Sequence, residues 1–445
     1  MIAINTMEIL NKRVGVISLG CDKNRVDTEK MLAFIKERHS LSPDPENADI
    51  IVINTCAFLE ASRKEAIEEI LSVIELKKLG QIEKIIVTGC LPQKFVNDIF
   101  AELNEVDAFM GVSDYAEINS VIDRIYSGER VILVGEPRGE CGKKRILTTN
   151  GYAYLKIADG CSNHCTYCLI PKIRGKFRSV PIEDLCEEVK GLGYVNELIL
   201  VAQDTAQYGH DLQPKLTLVD LIRKLSTFKN VQGIRLLYCY PENITEELIH
   251  ELKVNAKLIR YIDIPFQHAD DRILKLMNRK GTGEGYLSLV NRLKNEIQGI
   301  AIRSTFITGF PTEDEVAFNN LLEFIKKAKL FNAGFFKYSK EEGTAAAKLS
   351  GQITKGEKTK RHKKLYQAQK SVVKENSKLL VGKTFRVLAE GFDENELVYY
   401  GRAYFNAPEI DGKIYFFSQE EVEYGKYYPV KIIKATGYDL YGERL

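Results

Sequence analysis

The chain has 445 residues, 28% of them charged and 44% hydrophobic, with a formal net charge of only +2. That is the composition of an ordinary globular protein of two to four domains, and it gives no overall electrostatic pull towards nucleic acid. The longest apolar runs fall short of the roughly 18 residues a membrane span needs, and the opening "MIAINTMEILNKR" has no signal-peptide pattern, so a cytoplasmic chain with reduced thiols is expected.

Within residues 1–135, "RVGVISLGC" (13–21), "DIIVINTC" (49–56) and "EKIIVTGC" (83–90) are near-continuous apolar runs, as buried parallel strands require. Helical patterns such as "VDTEKMLAFIKER" and "SRKEAIEEILSVIELKK" lie between them and predict a βαβ series, hence an α/β doubly wound sheet. Cys21, Cys56 and Cys90 close the three runs, 35 and 34 residues apart. Strand C-termini share one edge of a parallel sheet, so these thiols are expected to converge there, beside helix N-termini that favour thiolates. Gly20 and Gly89 would let the backbone come close to a bulky ligand. Three buried apolar cysteines are the plain alternative. Their equivalent positions favour a three-thiolate iron–sulfur cluster with one open iron.

Residues 136–150 read as a linker, the periodicity being broken by "GEPRGECGKKR" (135–145). A second βα series fills 151–353, with strands expected at 152–159, 197–203, 233–240, 261–267, 301–310 and 332–339. Six such units predict a partial (β/α)6 barrel whose loops at the C-terminal strand ends carry the chemistry. Directly after the first strand comes "ADGCSNHCTYCLIPKIRG" (158–175), with Cys161, Cys165 and Cys168. Four thiolates would close a structural zinc site or an electron-carrying cluster. Three leave one iron of a cubane without a protein ligand, free to bind a small molecule. A zinc knuckle completed by His164 is the alternative. Cys141, Cys186 and Cys239 follow no pattern and read as core or incidental residues. Residues 354–380 predict a helix with nine Lys or Arg against two Glu, and 381–445 an all-β barrel of short aromatic strands.

The spacing of Cys161, Cys165 and Cys168 after the first barrel strand resembles the radical S-adenosylmethionine (SAM) superfamily. Together with the three spread cysteines and the terminal β barrel, the chain resembles the radical SAM methylthiotransferase family, along essentially its whole length. That resemblance implies a flavodoxin-like N-terminal domain holding a first 4Fe-4S cluster, a radical SAM barrel holding a second, and a C-terminal TRAM domain. "SLGCDKNRVDTE" (18–29), "VAQDTAQYGHDL" (201–212), "LYCYP" (237–241) and "GYDLYGE" (437–443) are similar to the branch that modifies an aspartate of the twelfth small-subunit ribosomal protein (the RimO type). The other branch, which modifies an adenosine of transfer RNA, usually shows Gln-Asn where "QD" stands here. The resemblance implies that SAM docks on the open iron of the barrel cluster and yields a 5′-deoxyadenosyl radical, which removes hydrogen from the aspartate β-carbon. The N-terminal cluster would hold sulfur already methylated by a second SAM. It also implies an electron donor such as flavodoxin or ferredoxin, and the ribosomal protein as substrate, free or assembled in the ribosome.

For the remaining ends of SAM, the strand-end loops offer Gln203, Asp204, Asp263, Gln267, Gly309 and Glu313; loop capping is the plain alternative for each. Arg174 and Arg178 could pair with a carboxylate or stand solvated on the surface, and neither His164 nor His268 reads as a ligand. Residues 381–445 carry eight Lys or Arg against eleven Asp or Glu, a balance that suits a basic protein partner better than phosphates. The helix at 354–380 points the other way, to a contact with ribosomal RNA. A non-catalytic electron-transfer protein is the remaining reading, and it would want closed four-thiolate clusters.

Overall fold

The structure, a computed structural model, describes residues 11–139 and 142–445. Cys141 lies outside the described residues. Among those described, no helix is long and apolar enough to cross a membrane. The chain forms two compact units. One runs to Thr148 and takes in Lys156–His164 and Cys168–Leu192; the other comprises Thr149–Leu155, Cys165–Tyr167 and Gly193–Leu445.

The first unit holds a six-stranded parallel sheet of β1 (Arg13–Ser18), β2 (Ser40–Leu41), β3 (Ile50–Thr55), β4 (Lys84–Gly89), β5 (Ala108–Met110) and β6 (Val131–Leu133), in the order β2-β1-β3-β4-β5-β6. Its helices are α1 (Asp22–Lys36), α2 (Glu60–Lys78), α3 (Cys90–Glu102) and α4 (Ile118–Tyr126). Strand β3 is buried on both faces. Ile51 and Ile53 pack with Ile70 and Val73 of α2 and Leu91 of α3, while Ile50 and Val52 pack with Met31 of α1 and Ile122 of α4. Burial on two sides is why the run is apolar without alternation, and it makes the sheet doubly wound, as expected. The apolar runs mark β1, β3 and β4 but not β2, β5 and β6, whose two or three residues are too few for periodicity to register.

The run 152–159, read as one strand, is two. Strand β7 (Tyr152–Lys156) joins the sheet of the second unit, and β8 (Ala158–Asp159) pairs antiparallel with β9 (Arg178–Ser179) at the base of the cysteine loop. Helices α5 (Ile170–Ile173) and α6 (Ile182–Gly191) follow that loop. In the second unit β10 (Val195–Val201), β11 (Val231–Leu236), β12 (Leu258–Asp263), β13 (Ala301–Thr308) and β14 (Asn332–Lys337) continue from β7, each beside its predecessor in sequence. The crossovers contain α7 (Leu218–Ser226), α8 (Glu246–Val254), α9 (Asp271–Leu276), α10 (Gly283–Glu296) and α11 (Glu315–Ala328). The result is the expected open half-barrel of parallel strands.

Helix α12 (Lys355–Lys378) leads into β15 (Thr384–Asp393), β16 (Val398–Arg402), β17 (Ile414–Phe417), β18 (Tyr427–Thr436) and β19 (Asp439–Arg444), which close a five-stranded barrel. Buried charge fastens that barrel to the half-barrel. Glu197 of β10 takes Arg402 of β16 at 2.5 Å and also pairs with Arg235 of β11. Two guanidiniums on one carboxylate hold its pKa below the usual range, although burial alone would raise it.

Candidate functional site

In the first unit the three dispersed cysteines arrive together. Strands β1, β3 and β4 end at Ser18, Thr55 and Gly89, so Cys21 caps α1, Cys56 follows β3 directly and Cys90 is the first residue of α3. Gly20 and Gly89 adopt positive φ, +94° and +97°, to turn each strand into its helix. A Cβ on Gly20 would stand 2.6 Å from Cβ and 3.2 Å from Sγ of Cys56, so the glycine creates room for a thiol rather than for backbone alone. Cys21 is exposed, Cys56 half-buried and Cys90 buried, which opens the site on the Cys21 side.

The surrounding polar groups are fixed by Asn24. Its amide donates to the carbonyls of Leu19 (3.1 Å) and Thr55 (3.0 Å), tying two strand ends to α1. Its Oδ1 accepts from Arg174 Nη2 at 2.6 Å. Arg174, at the end of α5, is buried rather than solvated, and its guanidinium is taken up by aspartates of this chain, Asp27 at 3.0 Å and Asp159 at 3.1 Å. Lys156 pairs with the same two acids. The guanidinium also lies 3.9 Å from Cys90 Sγ. Arg178, by contrast, donates to the carbonyls of Lys176, Arg138 and Arg174.

Burial pushes the Cys90 thiol up to about 12, against the pull of Arg174, and raises Cys56 for the same reason, helped by its proximity to Cys21. Coordination to a metal would favour the thiolate at such a position. Among the described residues no three His, Cys, Asp or Glu side chains sit closely enough for one metal ion. The donor set of this edge, three soft thiols with a cation behind them, fits a multi-iron cluster, which takes its thiolates at wider spacing than a single ion does.

Cys161, Cys165 and Cys168 occupy the segment between β8 and α5. Its base is closed by Cys161 N–H donating to Gly175 O at 3.0 Å, and the Ile170 N–H donates to Cys168 Sγ at 3.4 Å. Cys165 lies with the second unit, its Sγ 3.4 Å from Tyr240 Oη. His164 stands in the left-handed region, φ +51°.

At the C-terminal strand ends of the half-barrel the backbone departs from ordinary conformations at Tyr238 after β11 (φ +59°), Gln267 after β12 (φ +71°) and Gly309 after β13 (φ +74°). At Tyr238 and Gln267, which carry side chains, such a conformation is strained, and strain of this kind gathers at functional loops. Asp204, fully buried, accepts from Asn243 Nδ2 at 2.8 Å and Tyr240 N at 3.4 Å, and so shapes the loop after β11. Asp263 accepts from Arg303 at 3.0 Å and from Tyr238 N at 3.1 Å. Glu313 is a buried hub: Arg361 of α12, His268, Thr308 and Gly309 N–H all bond to it, between 2.7 and 3.2 Å. Burial works to raise its pKa, but these donors bring it below the usual range. Gln203 is half-buried in the loop after β10.

Residues 13–111 match the model described as uncharacterized protein family UPF0004, residues 155–325 that of the radical SAM superfamily, and residues 381–445 that of the TRAM domain. The ribosomal protein uS12 methylthiotransferase RimO of Lachnoclostridium phytofermentans is 46% identical over 97% of this chain and 99% of its own length. Its namesake from Acetivibrio thermocellus is 44% identical over 98% of each. The chain belongs to the uS12 methylthiotransferase family. It is thereby a radical SAM enzyme, of a superfamily that works with an iron–sulfur cluster and SAM. Among solved structures, the radical SAM methyltransferase TsrM from Kitasatospora setae, with cobalamin and a 4Fe-4S cluster bound, aligns with a TM-score of 0.54 at 13% identity, over 74% of this chain and 75% of that one. That is a likeness of fold alone.

The sequence of this methylthiotransferase does not mark Asn24, Asp27, Asp159 or Tyr240 as neighbours of its thiols. Asn24 and Asp27 follow Cys21 closely and Asp159 stands two positions before Cys161, but no spacing rule ties an Asn, Asp, Tyr or Arg to a distant thiol. Cys186 on α6 and Cys239 beyond β11 are buried, as core residues should be.

Proposed function

We propose that this enzyme methylthiolates the β-carbon of an aspartate in ribosomal protein uS12, using one SAM as methyl donor and a second as radical source. The near full-length identity to uS12 methylthiotransferases carries this reading. Cys21, Cys56 and Cys90 would hold one 4Fe-4S cluster and Cys161, Cys165 and Cys168 another. The barrel cluster with its SAM supplies the carbon-radical chemistry that an unactivated C–H bond demands.

The chain's own residues do the rest. Arg174, held by Asp27 and Asp159, turns one guanidinium nitrogen towards Cys90 from a buried position where its attraction for that thiolate is least screened. Gln203, Gln267 and Gly309 border the half-barrel mouth as SAM contacts, while Asp204, Asp263 and Glu313 hold the loops that present them. In this reading residues 1–135 serve sulfur transfer and 151–353 radical generation. The acidic barrel at 381–445 meets the basic ribosomal protein, and the helix at 354–380 meets ribosomal RNA. A small electron-transfer protein such as flavodoxin or ferredoxin would supply the electron, in the cytoplasm.

The test is to give anaerobic, reconstituted enzyme uS12 and transfer RNA side by side with SAM and reductant. A mass gain of one methylthio group less one hydrogen is expected on an aspartate of the protein. The same gain on RNA alone would overturn the assignment.

A further inference from the structure

We propose that Tyr240 is a positioning residue for the barrel cluster: its phenol donates a hydrogen bond to the Cys165 thiolate, and Arg279, stacked on its ring, strengthens that bond and so raises the cluster's reduction potential. The inference rests on the reading of Cys165 as a cluster ligand.

The Oη–Sγ separation is 3.4 Å. A ligating thiolate carries no proton, so the phenol must be the donor. Its ring has little freedom. Asp204 accepts from Tyr240 N–H and from Asn243, fixing the turn on which the tyrosine stands. Glu242 in that turn accepts from Tyr286 Oη at 2.7 Å and Gly281 N–H at 2.9 Å. Arg279 then lies with its guanidinium carbon 3.6 Å from the centre of the Tyr240 ring, itself held by a 2.6 Å bond to Pro265 O. Both side chains are almost wholly buried.

A cation on the ring face draws electron density from the phenol and makes its O–H a better donor. In a low-dielectric surrounding that polarisation is poorly screened. Hydrogen bonds to ligating sulfur stabilise the extra negative charge that arrives on reduction, and they are among the levers that set iron–sulfur potentials. Three separate stretches of the sequence thereby act on one sulfur atom. "QD" supplies Asp204, "LYCYP" supplies Tyr240 and "LKLMNR" supplies Arg279.

The experiment compares full-length, cluster-loaded wild type with Tyr240→Phe, which keeps the ring and its stacking and loses only the hydroxyl. Each is titrated anaerobically, following the electron paramagnetic resonance signal that changes on adding SAM. The variant should hold its iron and show about tenfold less reduced cluster at fixed potential, equal to about 59 mV for a one-electron couple. Release of 5′-deoxyadenosine should fall with a weak reductant and recover with a stronger one, at unchanged KM for SAM. An unchanged midpoint overturns the proposal, as does a loss that a stronger reductant does not restore. Should Tyr240→Phe fail to keep its cluster, Arg279→Gln decides: a lower midpoint supports the proposal and an unchanged one sinks it. Absence of any SAM-responsive signal in wild type would instead defeat the underlying assignment of Cys165.

Discussion

Cys21, Cys56 and Cys90 come from three strand ends separated by whole βα units, whereas Cys161, Cys165 and Cys168 share one loop. The first set exists only when β1, β3 and β4 are in register, with Thr55 opposite Gly89 and Ser18 opposite Asn54. Its ligand geometry and the stability of the sheet are therefore one property. The second set is close in sequence whether or not the chain is folded. What folding adds there is the partner of an individual thiol, such as Tyr240 at Cys165. The charges differ too. A buried guanidinium balanced by two carboxylates stands behind Cys90, while a neutral phenol faces Cys165.

The largest expected effect would break the comparison if it failed. Cys165→Ala should reduce 5′-deoxyadenosine formation to background, because the open iron is lost with the cluster. Cys56→Ala should leave that formation intact and eliminate methylthio transfer to uS12. Chromatography for the nucleoside and mass spectrometry of the protein read the two outcomes. Equal loss of both products in both variants would show that the two triplets do not have separate roles.

Next in size is Arg174→Met. Removing the cation leaves Asp27 and Asp159 with Lys156 alone, and breaking a buried charge network of this kind costs about 3–5 kcal/mol. Urea unfolding of the cluster-free chain should show that loss, with Arg174→Lys recovering part of it. An unchanged midpoint for Arg174→Met would mean that the carboxylates are neutral or solvated, and that no charge is balanced behind Cys90.

The same contrast explains what could be read in advance. The three thiols between 161 and 168 are a local pattern, legible as text. The three strand-end thiols were legible because β1, β3 and β4 are six-residue, largely apolar runs whose ends the sequence marks with Gly-Cys or Thr-Cys. Strands β2, β5 and β6 were not, since strands of two or three residues carry no period. Charge pairing was the least legible layer. Arg174 could be expected on the surface or against a carboxylate, and only folding brings Asp27, 147 positions away, to its guanidinium. Similarly, nothing in sequence links Tyr240 to Cys165, because their contact joins the ends of two separate strand-to-helix loops.

The smallest effect isolates how tightly the dispersed set is built. Gly20→Ala places a non-glycine residue at φ +94°, which costs about 1–3 kcal/mol in backbone strain, and its new methyl would press on Cys56 at 2.6 Å. Gly128→Ala, just beyond α4, meets the same backbone penalty at φ +91° but has nothing within 4 Å of the added atom. Both variants should unfold at lower urea concentration, Gly20→Ala by the larger margin because it adds the clash with Cys56 to the shared backbone penalty. Only Gly20→Ala should also lose iron and sulfide from the first site on anaerobic reconstitution, because only there does the strain displace a ligand. Equal iron in the two variants would mean that Cys56 can shift without cost to the cluster, and that the dispersed triplet is no more demanding of its fold than the local one.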